Sequence, residues 1–315
     1  MLNLTEHPGN MTSNRGLIVA LKICVVTPMI CVFLYFIALM LHTLASHRQF
    51  WESPRYLLFG YMLINDALLM VCSVLLFLFF LAELRLSISL CVPLLIVSTT
   101  TFLNTPLILA TMSLERYVAI FYPLHRPSAW RADRIWAVVL PSLLLSFILP
   151  TADFGMGRQY PGTSAFTTLV HCKTSALNSS RLQVLVKVSL YGFLFMAVAL
   201  VILFTYVRIL LEARKVRRDR ASSVGKALRT VLLHGLQLLL CLMAFMQPMT
   251  EHAIVLPVRW LREQMSFLSY YFFALLPRFL SPLIYGLRDE ILMAHMRRAV
   301  LCCSTKVIPG ATGKL

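Results

Sequence analysis

The chain has 315 residues, 59% of them hydrophobic and 13% charged, and its formal net charge is +16. A water-soluble domain carries roughly a quarter charged residues, so this composition, with a mean hydropathy of +0.77, indicates a chain whose main solvent is lipid. The pI near 9.9 would suggest a nucleic-acid partner in a soluble protein. In a membrane protein it reflects basic residues gathered in cytoplasmic loops, and no nucleic acid is expected.

Residues 1–16 are polar and lack the apolar core of a cleavable signal peptide. They read as an extracellular N-terminus, with the first span acting as its own insertion signal. Apolar stretches of spanning length follow at 17–44, 56–82, 92–121, 135–152, 184–211, 228–250 and 266–287. Each meets or approaches the roughly 20 residues that a helix needs to cross a bilayer. The alternation of a membrane β-strand is missing from them. The expected fold is therefore all-α, a bundle of seven transmembrane helices occupying residues 17–287.

An odd number of spans puts the termini on opposite sides. Lysine and arginine are in excess on the loops holding Arg48, Arg55, Arg116, Arg126, Arg131 and Arg134, on the stretch from Arg208 to Arg229, and on the tail. That excess marks the cytoplasmic side and leaves the N-terminus outside. The glycosylation sequons at Asn3, Asn10 and Asn178 all fall on the predicted outer side. Residues 288–315 form the cytoplasmic tail. Within it, 289–300 reads as an amphipathic helix on the membrane surface, with Ile291, Leu292 and Met296 opposed to Glu290, Arg297 and Arg298. Cys302 and Cys303 are candidates for palmitate, or are a pair of unmodified thiols.

The cytoplasmic end of the third span reads MSLERYVAIFYPL, with Glu115, Arg116 and Tyr117 at the edge of an apolar run. An isolated arginine there would be one more topology charge. The second span opens with Pro54-Arg55-Tyr56, and Asp66 follows Pro54 by twelve residues. The sixth carries Lys226-Ala227 and, eight residues beyond Lys226, His234. The seventh reads Leu280-Ser281-Pro282-Leu283-Ile284-Tyr285-Gly286-Leu287-Arg288.

In order and spacing these motifs resemble those of rhodopsin-like G-protein-coupled receptors, and in detail the odorant-receptor branch. That branch's third-helix string is Met-Ala-Tyr-Asp-Arg-Tyr-Val-Ala-Ile-Cys-x-Pro-Leu. The style of the seventh-span motif is most like the divergent odorant receptors of fish. Glu115 stands where the branch has aspartate, Phe121 where it has cysteine, Ser281 where it has the seventh-helix asparagine, and Ala38 where it has the first-helix asparagine.

The resemblance implies a plasma-membrane receptor that binds a small organic molecule from outside and activates a heterotrimeric G protein of the stimulatory olfactory type. It implies that Arg116 folds onto Glu115 at rest and turns toward Tyr206 in the active state, with Pro282 and Tyr285 as the seventh-helix part of the switch. It also implies a disulfide between Cys91 and Cys172; the alternative is two unpaired thiols. By position, the ligand set would be Ser98, Thr99, Phe102, Leu103, Tyr191, Phe195, Phe245, Met249 and Tyr271. An apolar stripe of this kind is also what core packing produces. No amine-recognising carboxylate stands near the outer end of the third span.

Arg278 is the least expected residue, lying four positions before Pro282 inside the seventh span. Charges at such depth face the bundle interior and pair. In many rhodopsin-like receptors the aspartate corresponding to Asp66 helps bind sodium beside the asparagines that Ala38 and Ser281 replace. Arg278 is expected to take the place of that ion and pair with Asp66. The alternative is that it snorkels or binds backbone carbonyls.

No zinc-protease, nucleophile-elbow or phosphate-loop motif appears in the sequence, so no enzyme, metal or cofactor is expected. A transporter would show an internal repeat, and none stands out. A receptor of the same superfamily for a peptide or metabolite remains the alternative function.

Overall fold

The computed structural model describes residues 8–122, 127–156, 168–173, 180–216, 236, 239–240, 259–288 and 291–298. Almost all of them are helical. In hydrocarbon each backbone N–H and C=O must be satisfied within its own segment, and a helix achieves that.

Helix α1 runs over Pro8–Ser46. It starts before the expected span, at a proline suited to a first helical turn. A short helix α2, Arg48–Trp51, turns the chain, and α3, Pro54–Leu81, again starts on proline. Glu83, at φ 52°, bends the chain into strand β1, Arg85–Ser87. Helix α4 covers Ile88–Phe121. Two 3-10 turns, Ser128–Trp130 and Ala132–Arg134, lead into α5, Trp136–Met156. Strand β2, Leu169–His171, is followed by α6, Arg181–Val216.

The last part of the bundle is α7, Arg259–Ser269, then a π-helical turn at Tyr270–Leu275, and α8, Leu276–Arg288. Residues 291–298 form α9. Among the described residues, five segments are long and apolar enough to cross a membrane: Gly16–Ser46, Pro54–Leu81, Ile88–Phe121, Ala132–Gly155 and Arg181–Glu212. They match the first five expected spans. The sixth, 228–250, lies outside the described residues apart from 236 and 239–240. The seventh corresponds to α7, the π turn and α8, which begin ahead of the expected 266 because the helix continues through a polar first segment.

Helix α4 is the axis, packed against α3, α5 and α6. The faces follow from helical period. On α6 the buried positions Phe195, Val198, Ile202 and Thr205 form one stripe, while Phe193, Met196, Leu200, Leu203 and Val207 are exposed. Both stripes repeat every three or four residues, as one helix face does. An exposed apolar stripe of this length suits lipid rather than water. Strand β1 pairs antiparallel with β2, Leu86 opposite Val170. Beside that ribbon the Cys91–Cys172 disulfide ties the start of α4 to the segment after β2.

Helix α9 has the expected amphipathic character with one difference. Leu292 and Met296 are buried in the common core, but Ile291 is exposed rather than on the apolar face. Positions 292 and 296 are one turn apart, whereas 291 points away from that stripe. His295 stacks edge-on against His47 at 4.4 Å between ring centroids, fastening α9 to the α1–α2 corner.

Gly286 of α8 faces the Met40 side chain of α1. A Cβ there would lie 2.5 Å from Met40 Sδ, and Met40 is itself buried. Overpacking of this kind costs about 1–3 kcal/mol. Gly286→Val is expected to lower receptor at the cell surface severalfold, and adding Met40→Ala to restore most of it. Equal surface staining of Gly286→Val and wild type would show that the helices do not meet closely at this position.

Candidate functional site

Among the described residues, α4 carries two polar nodes. The first is at the 121 end of α4. Glu115 is buried, and its Oε2 lies 3.8 Å from Arg116 Nε. Two opposite charges at a dry helix end satisfy each other in this way. Tyr117 packs against Phe121 and against Phe204 of α6, at centroid distances of 4.5 and 5.9 Å. Tyr206 is half-buried against the core cluster. The structure therefore brings Glu115 and Arg116 together and sets the α6 aromatics beside their helix.

The second node lies midway along α3 and α4, at the start of α8. Arg278 Nη1 donates to Thr105 Oγ1 at 2.6 Å and lies 3.5 Å from Asp66 Oδ1. Asn65 Nδ2 donates to the Thr101 carbonyl and to Thr105 Oγ1, both at 3.0 Å. Asn104 Nδ2 donates to Asn65 Oδ1 at 3.0 Å and to Tyr61 Oη at 2.6 Å. The Thr105 hydroxyl has one proton to give, with Asp66 Oδ1 at 3.3 Å and the Thr101 carbonyl at 3.1 Å in reach. Asn65, Asp66, Asn104, Thr105 and Arg278 are all buried. The expected Asp66–Arg278 pair is present, but a threonine and two asparagines are built into it.

Those partners were not singled out from the sequence. A usable signal was there: Asn65 adjoins Asp66 inside the second span, and Thr101, Asn104 and Thr105 share one face of α4 by spacing. The π turn just before α8 was likewise not anticipated. Such turns are frequent at functional sites, and this one carries Tyr270, whose hydroxyl lies 2.7 Å from Ser73 Oγ on α3.

Of the expected ligand set, Phe102 and Phe195 meet at a centroid distance of 6.0 Å. Phe102 also lies under the Arg278 guanidinium, 5.2 Å from carbon to ring centroid. Leu103 is fully buried, as a core residue is. Ser98 and Thr99 are half-buried on α4, and the Ser98 carbonyl accepts from Thr101 Oγ1. Tyr271 packs against Phe267 and Phe272 on its own helix. Tyr191 is half-buried, and its hydroxyl has no hydrogen-bond partner among the described residues. Pro282 is buried in α8, whereas of Tyr285 and Asn10 only the helical backbone is described. Asn3, Asn178, Phe245, Met249, Cys302 and Cys303 lie outside the described residues.

A further ion pair went unread in the sequence. Lys187 of α6 meets the Asp153 carboxylate of α5, and both side chains are largely buried. Gln183 Nε2 donates to the Asp153 carbonyl at 2.9 Å and to its Oδ1 at 3.1 Å. Stranding one partner of a buried pair costs about 3–5 kcal/mol. Lys187→Met should therefore reduce folded receptor strongly, and Lys187→Met with Asp153→Asn should recover part of the loss. A double variant no better than the single one, by surface flow cytometry, would contradict a buried pair.

A bundle of long apolar helices with charged and polar residues sealed between them defines a multi-pass membrane protein. The family model for the 7 transmembrane receptor (rhodopsin family) matches residues 38–285. The chain belongs to that family, which is one of receptors and not of enzymes. It is 29% identical over 198 residues to the zebrafish (Danio rerio) protein "Odorant receptor 131-2", covering 63% of this chain and 61% of that one. It is 26% identical over 201 residues to the human "Olfactory receptor 4K14", covering 61% of this chain and 60% of the relative. The chain thus spans about three fifths of the length of these curated relatives.

Proposed function

We propose that the chain is an odorant-type receptor: a small organic ligand binds near the disulfide end of the bundle, and a heterotrimeric G protein is engaged at the Glu115–Arg116 end. The observation that carries this reading is the buried Glu115 held 3.8 Å from Arg116 at a helix terminus. A charged pair kept out of water is a poor stabiliser compared with apolar packing; as a releasable contact it has a use. Agonist binding favours the packing in which Arg116 leaves Glu115, turns toward Tyr206 and opens a cleft. The driving force is the agonist's differential affinity for the two packings. Pro282, without an N–H for the helix ladder, gives α8 a place to bend.

On the ligand side the aromatic contact of Phe102 with Phe195 supports an apolar pocket wall. Ser98, Thr99, Leu103, Tyr191, Phe245, Met249 and Tyr271 complete the proposed set. Apolar walls with a few hydroxyls suit a small neutral organic molecule. The full proposed topology has seven spans, the N-terminus outside with Asn3, Asn10 and Asn178 glycosylated, and the tail inside with α9 along the membrane and Cys302 and Cys303 available to palmitate.

Arg116→Ala is expected to reach the surface yet to lose agonist-stimulated cyclic-AMP production in cells screened with an odorant panel. Full signalling at equal surface density would reduce Arg116 to a topology charge. For the orientation, an epitope placed before Asn3 should stain intact cells, and staining confined to permeabilised cells would reverse the assignment.

A further inference from the structure

At the Glu115–Arg116 end, α4 and α6 meet through two rungs. Tyr117 of α4 packs against Phe204 of α6. One turn further on, the Arg208 guanidinium of α6 lies over the Phe121 ring of α4, 5.5 Å from carbon to centroid. Four residues separate the rungs on both helices, the spacing of neighbours on one helix face. Tyr117 and Phe121 also touch each other, at 4.5 Å between centroids, so the rungs are joined on the α4 side. A guanidinium keeps its charge in a protein, and within about 6 Å of a ring centroid that charge is attracted by the ring face. The cysteine that the odorant-receptor branch carries at this position has no ring to offer.

The contact bears on Tyr206, which lies between Phe204 and Arg208 in the chain. Two residues along a helix amount to a turn of about 200°, so Tyr206 points away from the rungs. It is half-buried against the core cluster, whereas Phe204 is 55% exposed. All three side chains ride on one helix and turn together. A movement of α6 that brings Tyr206 to Arg116 therefore carries Phe204 and Arg208 off their partners on α4. In the packing observed, the rungs are closed and Arg116 lies 3.8 Å from Glu115. A contact closed in one packing and open in the other sets the balance between them. Arg208 is exposed, and a cation–π contact at such a site shifts that balance about twofold to fivefold.

We infer that Phe121 and Arg208 are positioning residues of the proposed switch, a clip that holds α6 against α4 while Arg116 rests on Glu115. The clip opens before Arg116 reaches Tyr206. This role rests on the G-protein coupling proposed for the same end of the bundle. The clip itself is a contact between two helices and is measurable without a G protein.

Two readouts keep the clip and the coupling apart. The first is hydrogen exchange of the α6 amides of residues 200–212, in the purified full chain in lipid nanodiscs. Phe121→Leu removes the ring and Arg208→Gln the charge, and each should speed exchange there. Phe121→Tyr and Arg208→Lys, which keep ring and charge, should exchange as wild type does. The second is cyclic-AMP production without added ligand, at matched surface density. Phe121→Leu and Arg208→Gln should each raise it about twofold or more. The double variant should raise it no further, because both changes remove one contact. Should Phe121→Leu fail to fold, Arg208→Gln, an exposed change, decides both readouts alone. Unchanged exchange, or additive effects in the double variant, would overturn the inference. Faster exchange with unchanged basal signalling, in a wild type that answers the odorant panel, would leave coupling in place and remove the clip from it. A chain that raises no cyclic AMP under any condition would refute the coupling reading, and the switch role with it.

Discussion

A carboxylate buried at 1% exposure within a lipid-facing bundle is the constraint around which the rest is arranged. Apolar packing alone would let these helices slide or rotate with little penalty, since lipid is as apolar as leucine. Asp66 removes that freedom. Its charge demands Arg278, which fixes the rotation of α8, and Thr105 receives the same guanidinium nitrogen and fixes α4 against both. Asn65 and Asn104 then join α3 to α4 by direct side-chain hydrogen bonds, so the three helices share one network.

Helix α4 carries both polar nodes. Thr105 and Glu115 are ten residues apart on it, which is about 15 Å along a helix axis. A stiff helix held by a network at its middle and by a charged pair at its end can exist in a small number of packings rather than a continuum. Interiors packed to near crystal density behave that way. The Phe102–Phe195 contact lies one turn from Thr105 toward the disulfide end. On the proposed reading, ligand acts on the network through that turn, and the network holds or releases the orientation of the Arg116 end.

The spans were legible because their hydrophobicity is continuous over bilayer length, and five of them appear with boundaries shifted by only a few residues. The largest shift is at α1, where the polar residues from Pro8 onward still form helix; hydropathy registers lipid and not helicity. Asp66 and Arg278 could be paired in advance because a charge in lipid must have a partner. Asn65, Asn104 and Thr105 could not be ranked in the same way. Neutral polar side chains in a span are often satisfied by the preceding turn's carbonyls, as Thr101 and Thr111 are here. The Asp153–Lys187 pair was hidden by its location near span ends, where charges normally reach water. The π turn at Tyr270–Leu275 has no compositional mark at all.

The ionisation state of Asp66 is the most direct gauge of this account. It can be read by infrared spectroscopy on receptor labelled with carbon-13 aspartate, taking the difference between wild type and Asp66→Asn at neutral pH. The account predicts the symmetric and antisymmetric stretches of an ionised carboxylate in the wild type, and a protonated carboxylic acid band in their place once Arg278 is changed to Met. A protonated Asp66 band in the wild type would mean that no ion pair holds the centre of the bundle.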